Sequence, residues 1–561
     1  MAKVTVDGKS VTVSDTANVL EACRAAGVDV PHFCWHPRFS IVGQCRMCMV
    51  EIEGVPKIQA SCTVPVRDGM VVKASSEKAL LARNSTMEFL LINHPLDCPI
   101  CDQAGECKLQ DNAVTGGLPV SRMGESRRQF PGYDRTNIGP HVIADMTRCI
   151  QCTRCIRFCN EVALTGELTF VERAGHTMVW THEGRQLDNE WSACAADVCP
   201  VGALTVREFR FRRRVWWLDK ARSVCDGCEV GCNISLEHRD RVVHRFVPRP
   251  NPDVNDFWMC DYGRFRSEQL NTQDYRKPLL TTGGSAQEVN WGVALDRVKS
   301  EVNLALTESP DAMLVLGSAR LSTEENWLLA QLFAGHMGVP SVEFEVDLGP
   351  ERRIKNPNLK DGWVRGREAA PNSRGAELAG VQRVGPGSAL TRLLEGSYTP
   401  ALVYVADAEF GRRADDPEFV AALRKARFLV VHARRQNALS RAADLVLPVT
   451  GLHGREGTFV NVQGRVQRLE IGFLPPPIVR SDLEVLLHLG KRWGRFDTQW
   501  TARDVFEEIK KSVPRYAELT WESREVEGYP CPAAPAASYD ALRPPALSVD
   551  DTQDVPVVKR A

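Results

Sequence analysis

The first residues alternate between apolar and polar. Val4 and Val6 lie on one side of an Asp7-Gly8 pair, Val11 and Val13 on the other, which predicts a two-residue hairpin. A short helix is expected from Asn18 to Ala26, followed by a cysteine-rich loop. From Glu77 to Asn93 the residues Leu80, Leu81, Met87, Leu90 and Leu91 recur at a helical period, and Asn93-His94-Pro95 ends the helix. Residues 94–205 keep neither period and read as loops. Phe209, Phe211, Val215, Trp217 and Leu218 predict a strand running into a further cysteine loop.

Beyond about residue 275 short apolar runs alternate with helical stretches. Met313–Gly317, Ala401–Val405, Phe428–Val431 and Asp444–Pro448 read as buried strands, and Thr323 to Met337 as a helix. This is an α/β pattern with a mainly parallel sheet. Residues 345–390, rich in Gly, Pro and Arg, are expected to form long loops. The last thirty or so, with Pro-Ala repeats around Cys531, are expected to be a disordered tail.

A length of 561 residues implies three or four domains. The balance of 70 basic and 71 acidic side chains leaves no field to favour nucleic acid or an anionic membrane. The N-terminus carries no secretory signal pattern, and no run of 18 apolar residues predicts a membrane span, so membrane association is expected only through partners. The 19 cysteines change the picture most. An odd number argues against a complete disulfide framework, and all but Cys531 lie before residue 261, in tight groups that point to metal centres.

Four constellations emerge. Cys34, Cys45, Cys48 and Cys62 place one Cys-x-x-Cys pair between two outlying thiols, which suits a 2Fe–2S cluster, with Gly43 allowing close backbone approach. Cys98, Cys101 and Cys107 leave one corner of a 4Fe–4S cube open, and His94 is placed to fill it with a neutral imidazole. Cys149, Cys152 and Cys155 with the distant Cys199-Pro200 form the ferredoxin arrangement for a second 4Fe–4S cluster. A second cubane on that segment would need more cysteines near 190–196 than Cys194 alone. Cys225, Cys228 and Cys232 with Cys260 give a third. Zinc is the alternative at the first, second and fourth sets, although zinc sites usually join two close cysteine pairs. Fifteen cysteines and His94 supply the sixteen ligands of one 2Fe–2S and three 4Fe–4S clusters. Cys23, Cys159, Cys194 and Cys531 remain as spares.

In their order and spacing these constellations resemble those of the cluster-bearing large subunit of bacterial NADH:quinone oxidoreductase (respiratory complex I). The remainder resembles a molybdopterin-oxidoreductase domain through Trp258-Met-Cys260-Asp-Tyr-Gly-Arg264, Asn356-Pro-Asn358 and Glu456-Gly-Thr-Phe-Val-Asn-Val-Gln-Gly-Arg-Val-Gln467. The resemblance implies a multidomain α/β and α+β chain. Residues 1–77 would be a β-grasp 2Fe–2S ferredoxin domain, 78–117 a His(Cys)3-ligated 4Fe–4S domain and 118–217 a ferredoxin-like segment. A further 4Fe–4S domain over 218–274, a molybdopterin-oxidoreductase-like α/β domain over 275–525 and the tail 526–561 complete it.

It further implies electrons arriving from a flavin/NADH-binding subunit and leaving toward a quinone-reducing module. Other peripheral-arm subunits would be partners, in a complex coupled to proton translocation on the cytoplasmic face of the bacterial inner membrane. The fourth set would lie off the main path. No molybdopterin is expected, because no cysteine stands between Cys260 and Cys531 and the tail is short for a complete pterin-binding domain. A formate dehydrogenase, the diaphorase-side subunit of a soluble hydrogenase and a zinc scaffold stand as the rival readings.

Overall fold

The computed structural model describes residues 1–117, 122, 124, 126–407, 409, 411–521 and 529–530. The predicted hairpin pairs Ala2–Val6 with Lys9–Val13 antiparallel, turning at Asp7 and Gly8, both at positive φ. Ala2–Val6 also runs parallel to Val71–Lys73, which pairs with Met49–Ile52 and, through it, Gln59–Ala60. The helix Val19–Ala25 begins at Asn18, whose side chain accepts from the Glu21 amide while Glu21 reaches back, a capping box. Its buried face (Val19, Leu20, Ala22, Cys23) packs with Val4, Val6, Val50 and Val72 into one core. This mixed sheet with a helix across it presents the loop that carries Cys34, Cys45 and Cys48.

The helix Glu77–Asn93 starts at the Ser76 cap, which accepts from the Ala79 amide, and stops where the backbone turns extended at His94. Two expectations for the middle of the chain are corrected. Residues 209–218 form turns and a short 3-10 helix, and the strand starts only at Asp219, extending to Val224. The aromatic residues there serve two environments. Phe209, Val215 and Leu218 form a small core of their own, whereas Phe211, Trp216 and Trp217 are exposed. Phe211 sits at φ +60, donating its N–H to Asp102 Oδ1 at 3.0 Å, so the backbone leaves the strand region.

Residues 345–390 contain a hairpin, Leu348–Lys355 against Trp363–Glu368, and a helix, Ser373–Leu378. Its basic residues cover aromatic faces: Arg352 lies 3.5 Å over Tyr262, and Arg353 and Lys355 each 4.7 Å over Trp363. Composition alone hid that strand.

The C-terminal sheet has eight strands. Leu445–Pro448, Phe428–Ala433, Leu402–Val405, Met313–Leu316, Val342–Phe344 and Gln382–Arg383 are parallel neighbours in that order. Leu279–Thr282 and Ser285–Glu288 form an antiparallel edge. The central strands are buried throughout, as continuous apolar runs between two layers of helices require. The order reverses between Met313–Leu316 and Leu402–Val405, the switch point where doubly wound sheets open a crevice. The predicted helix from Thr323 is α-helical to Ala330 and continues as a π turn over Gln331–His336.

Within the expected tail, Tyr529 and Pro530 pair with Val466 and Arg465. The rest of 526–561, with Cys531, lies outside the described residues. Among the described residues no helix is long and apolar enough to cross a membrane.

Candidate metal centres

In the first set hydrogen-bonding reach links the thiols in a chain, Cys45 to Cys34, Cys34 to Cys62 and Cys62 to Cys48. Cys45 and Cys62 donate to Cys34, and Cys62 also meets Cys48, which lowers the Cys34 and Cys48 thiols and raises the other two. The Cys34 amide donates to Cys45 Sγ at 3.4 Å. Gly43 stands at φ +61, and a Cβ there would meet the Thr63 methyl at 2.7 Å, so this loop requires glycine.

A small cavity is lined by all four thiols of the third set, Cys149, Cys152, Cys155 and Cys199, with Ile150 and Val179. Burial pushes Cys149 up to about 12 and Cys152 and Cys199 up to about 11. Such thiols ionise only when a cation replaces the proton, so filling the site is coupled to proton release. The fourth set is equally enclosed. Burial raises Cys225 and Cys232, followed at Cys225 by the charge of Asp226 and at Cys232 by the neighbouring thiols. Here the backbone comes close: a Cβ on Gly263 would lie 2.7 Å from Cys225 Sγ.

The second set is more open. Cys101 and Cys107 are buried, but Cys98 is exposed, beside exposed Leu96 and Ile100. His94 caps the helix end, and its ring is lowered to about 4, first by burial and then by the charge of Arg148. It is therefore neutral at pH 7, as a metal-ligating imidazole must be. The same Arg148 also lowers the Cys101 thiol, against the larger upward push of burial. Among the described residues no hydrogen bond joins the His94 ring to the three thiols, and no group of three or more His, Cys, Asp or Glu is placed to hold a single metal ion.

A backbone device recurs at several of the candidate ligands. The amide two residues on points at the sulfur in Cys45 (Met47), Cys101 (Gln103), Cys107 (Leu109), Cys149 (Gln151, 3.4 Å), Cys152 (Arg154), Cys225 (Gly227, 3.4 Å) and Cys228 (Val230). Such donors stabilise a metal-bound thiolate. Arg46, Gln151 and Thr153 are held at positive φ inside these loops, unusual for non-glycine residues. Cys159 and Cys194 have no such amide. Both are fully buried, and the Cys194 thiol donates to the Met259 carbonyl at 3.2 Å. Cys159→Ser and Cys194→Ala are expected to leave iron content unchanged. Loss of about four irons from either, measured per chain, would show that the third or fourth set has been assigned wrongly.

The sets adjoin one another. Arg157 donates to the carbonyls of Cys34 and Cys152, and Gln44 Nε2 to the Gln151 carbonyl at 2.7 Å, which ties the first set to the third. The Cys199-Pro200-Val201-Gly202 turn then ties the third to the second. Lys108 N donates to the Pro200 carbonyl at 3.1 Å, and a Cβ on Gly202 would lie 2.2 Å from Cys101 Sγ. Gly202→Ala is accordingly expected to displace Cys101 and cost about four irons, with one 4Fe–4S signal lost by EPR. Unchanged iron would show that the two sets are not pressed together there. Arg264, four residues past Cys260, pairs with Asp197, two before Cys199, and so links the fourth set to the third. These joining residues carry no distinguishing mark in the sequence beyond lying near a cysteine.

Residues 1–77 match a 2Fe-2S iron-sulfur cluster binding domain, and 83–122 the NADH-ubiquinone oxidoreductase-G iron-sulfur binding region. Residues 139–205 match the NADH-quinone oxidoreductase subunit 3 ferredoxin-like domain, 218–268 the NDSU1/NuoG-like 4Fe-4S domain, and 372–492 the molybdopterin oxidoreductase family. The chain is thus an iron–sulfur protein with 2Fe–2S and 4Fe–4S binding domains in series, followed by a molybdopterin-oxidoreductase domain.

It is 30% identical over 666 aligned positions to the mitochondrial NADH-ubiquinone oxidoreductase 78 kDa subunit of Neurospora crassa, covering 97% of this chain and 85% of that protein. It belongs to the family of that subunit and of its bacterial NADH-quinone oxidoreductase counterparts. Against the counterpart from Rickettsia felis it is 39% identical over 332 residues, 59% of this chain and 49% of that protein, so the match spans about half the length of that relative. A chain in the crystal structure of an NAD+-reducing [NiFe]-hydrogenase is 32% identical, covering 38% of this chain and 91% of that one, at a TM-score of 0.34.

Proposed function

We propose that this chain is the iron–sulfur electron-transfer subunit of an NADH:quinone oxidoreductase. It receives electrons one at a time from a flavin/NADH-binding subunit and passes them toward a quinone-reducing module, in a complex coupled to proton translocation. Cys34, Cys45, Cys48 and Cys62 hold a 2Fe–2S cluster. His94, Cys98, Cys101 and Cys107 hold one 4Fe–4S cluster, Cys149, Cys152, Cys155 and Cys199 a second, and Cys225, Cys228, Cys232 and Cys260 a third. When bound, the clusters supply one-electron transfer without bond making. The chain's own part is to ligate, to donate amide hydrogens to sulfur and to exclude water.

One observation carries this reading: the first, third and second sets touch in that order, ending at the exposed Cys98. The fourth set stands beside the line, joined through Arg264 and Asp197. One apolar core takes in Cys34, Cys152, Cys199, Cys228 and Cys260 together, which keeps water from these sites.

The α/β domain acts as a scaffold for the fourth set. Asn461 donates to the Val230 carbonyl at 3.1 Å and Gln467 to the Gly231 carbonyl at 3.0 Å, while Asn356 donates to Val254. The residues that resemble a molybdenum enzyme therefore grip the cysteine loops. A pterin does not fit the crevice at the switch point. Three of the four arginines that line it are paired, Arg266 with Asp226, Arg434 with Glu409 and Arg455 with Asp482, and Arg320 donates to the Asp226 and Ala369 carbonyls, so little unspent positive charge is left for an anionic cofactor.

Partners are the flavin subunit and the other peripheral-arm subunits, and the location is the cytoplasmic face of the bacterial inner membrane, reached through them. The test is reduction of the chain's EPR signals. Dithionite should reduce them in the isolated chain, while NADH should do so only in the assembled complex. Reduction by NADH of the isolated chain would overturn the proposal.

A further inference from the structure

Two arginines from one short helix fill the seam between the first and third cysteine sets. Arg154 and Arg157 open and close the helix Arg154–Arg157, which carries Cys155 between them. Arg157 is 5% exposed. Its Nη2 donates to the Cys34 carbonyl and, at 3.3 Å, to the Cys152 carbonyl. Its Nη1 donates to the Ser40 carbonyl at 2.6 Å and its Nε to Thr153 Oγ1 at 3.2 Å, with Phe39 stacked 5.3 Å away. Arg154 donates to the Trp35 carbonyl at 2.5 Å.

The hydrogen bonds of both guanidinium groups go to neutral oxygens, and the buried Arg154 Nε has no partner among the described residues. Among the described residues no carboxylate lies within ion-pair distance, 4.0 Å, of either. The other seams differ. Arg148, between the third and second sets, pairs with Asp97 at 2.8 Å and Asp145 at 3.4 Å, and Arg264 pairs with Asp197. A buried and a half-buried cation, Arg157 and Arg154, without counter-charge are costly unless something anionic faces them. Clusters held by four thiolates each, on either side of the seam, would be that anion. This step rests on the function proposed above.

We propose that Arg154 and Arg157 set the reduction potentials of the first and third sites, holding both up by uncompensated positive charge, with Arg157 also the hydrogen-bonded bridge between Cys34 and Cys152. Reduction adds one negative charge to a site and breaks no bond. A fixed cation a few ångströms away, shielded from water, favours the reduced form.

The test is a potentiometric titration, followed by EPR, of the full chain purified anaerobically as wild type, Arg157→Met, Arg157→Lys and Arg154→Met. In Arg157→Met the reduced fraction of the 2Fe–2S signal and of the Cys149-set signal, at fixed ambient potential, should fall by on the order of tenfold. Arg157→Lys, which keeps the charge, should restore most of it, and Arg154→Met should shift both signals the same way. The signals of the His94 and Cys225 sets should hold nearly still. Unshifted potentials in Arg157→Met, or equal shifts in Met and Lys, would overturn the proposal. If Arg157→Met fails to retain iron, Arg154→Met carries the same decision, because the Arg154 guanidinium donates to the Trp35 carbonyl and, unlike Arg157, to no carbonyl of a candidate ligand. Absence of both signals from the wild-type chain would instead remove the underlying function, and the two failures are told apart by iron content.

Discussion

Cys62→Ser is expected to abolish the 2Fe–2S EPR signal, remove about two irons per chain and reduce NADH-dependent quinone reduction by the assembled complex to background. Cys62 is buried and meets both Cys34 and Cys48, so its sulfur touches two of the other three proposed ligands. Serine keeps the shape but offers a hard, weakly acidic oxygen where iron requires a thiolate. The first set adjoins the third through Arg157 and Gln44, and among the described residues no hydrogen bond takes the first set directly to the second. On the proposed path, electrons that cannot occupy the first site do not reach the third. The three 4Fe–4S signals should survive dithionite reduction, which separates this loss from general unfolding. Full quinone reductase activity without the signal would place the point of electron arrival elsewhere.

The second large effect is expected at His94. His94→Ala should lose one 4Fe–4S cluster or leave a three-iron remnant, while His94→Cys should retain four irons at a lower potential. The side chain is in a protonation state that suits ligation. It leaves the end of the helix Glu77–Asn93 on an extended backbone, and burial with Arg148 nearby keeps the ring neutral well below pH 7. Thiolate in place of imidazole adds one negative charge, so at fixed ambient potential the reduced fraction should fall by about tenfold or more. Arg148, buried and held by Asp97 and Asp145, moderates that change without cancelling it. Potentiometric EPR reads both variants. A spectrum unchanged in His94→Ala would mean that His94 is not a ligand.

The candidate ligands were legible in the sequence because thiol spacing is a local property: Cys-x-x-Cys loops keep their meaning without knowledge of the fold. The helix Glu77–Asn93 and the opening hairpin were legible for the same reason, each marked by its own period and its own terminating residues. What joins the sites was not. Arg157 lies 123 residues from Cys34 and Pro200 lies 93 from Cys107, and neither contact leaves a trace in local pattern. Residues 209–218 misled because aromatic density looks like a strand, whereas exposed Trp216 and Trp217 share the segment with an isolated small core. The hairpin 348–368 was hidden because its arginines count as polar, while their stems and charges lie across Tyr262 and Trp363. The ion pairs that occupy the crevice of the α/β domain likewise come from widely separated segments, so they emerge only once the sheet has brought its strand ends together.

The central claim, one 2Fe–2S and three 4Fe–4S clusters on one chain, is tested most directly by metal and acid-labile sulfide analysis of the anaerobically purified protein. About fourteen irons and a matching amount of sulfide per chain are predicted. Stoichiometric zinc with little iron and a colourless protein would contradict it.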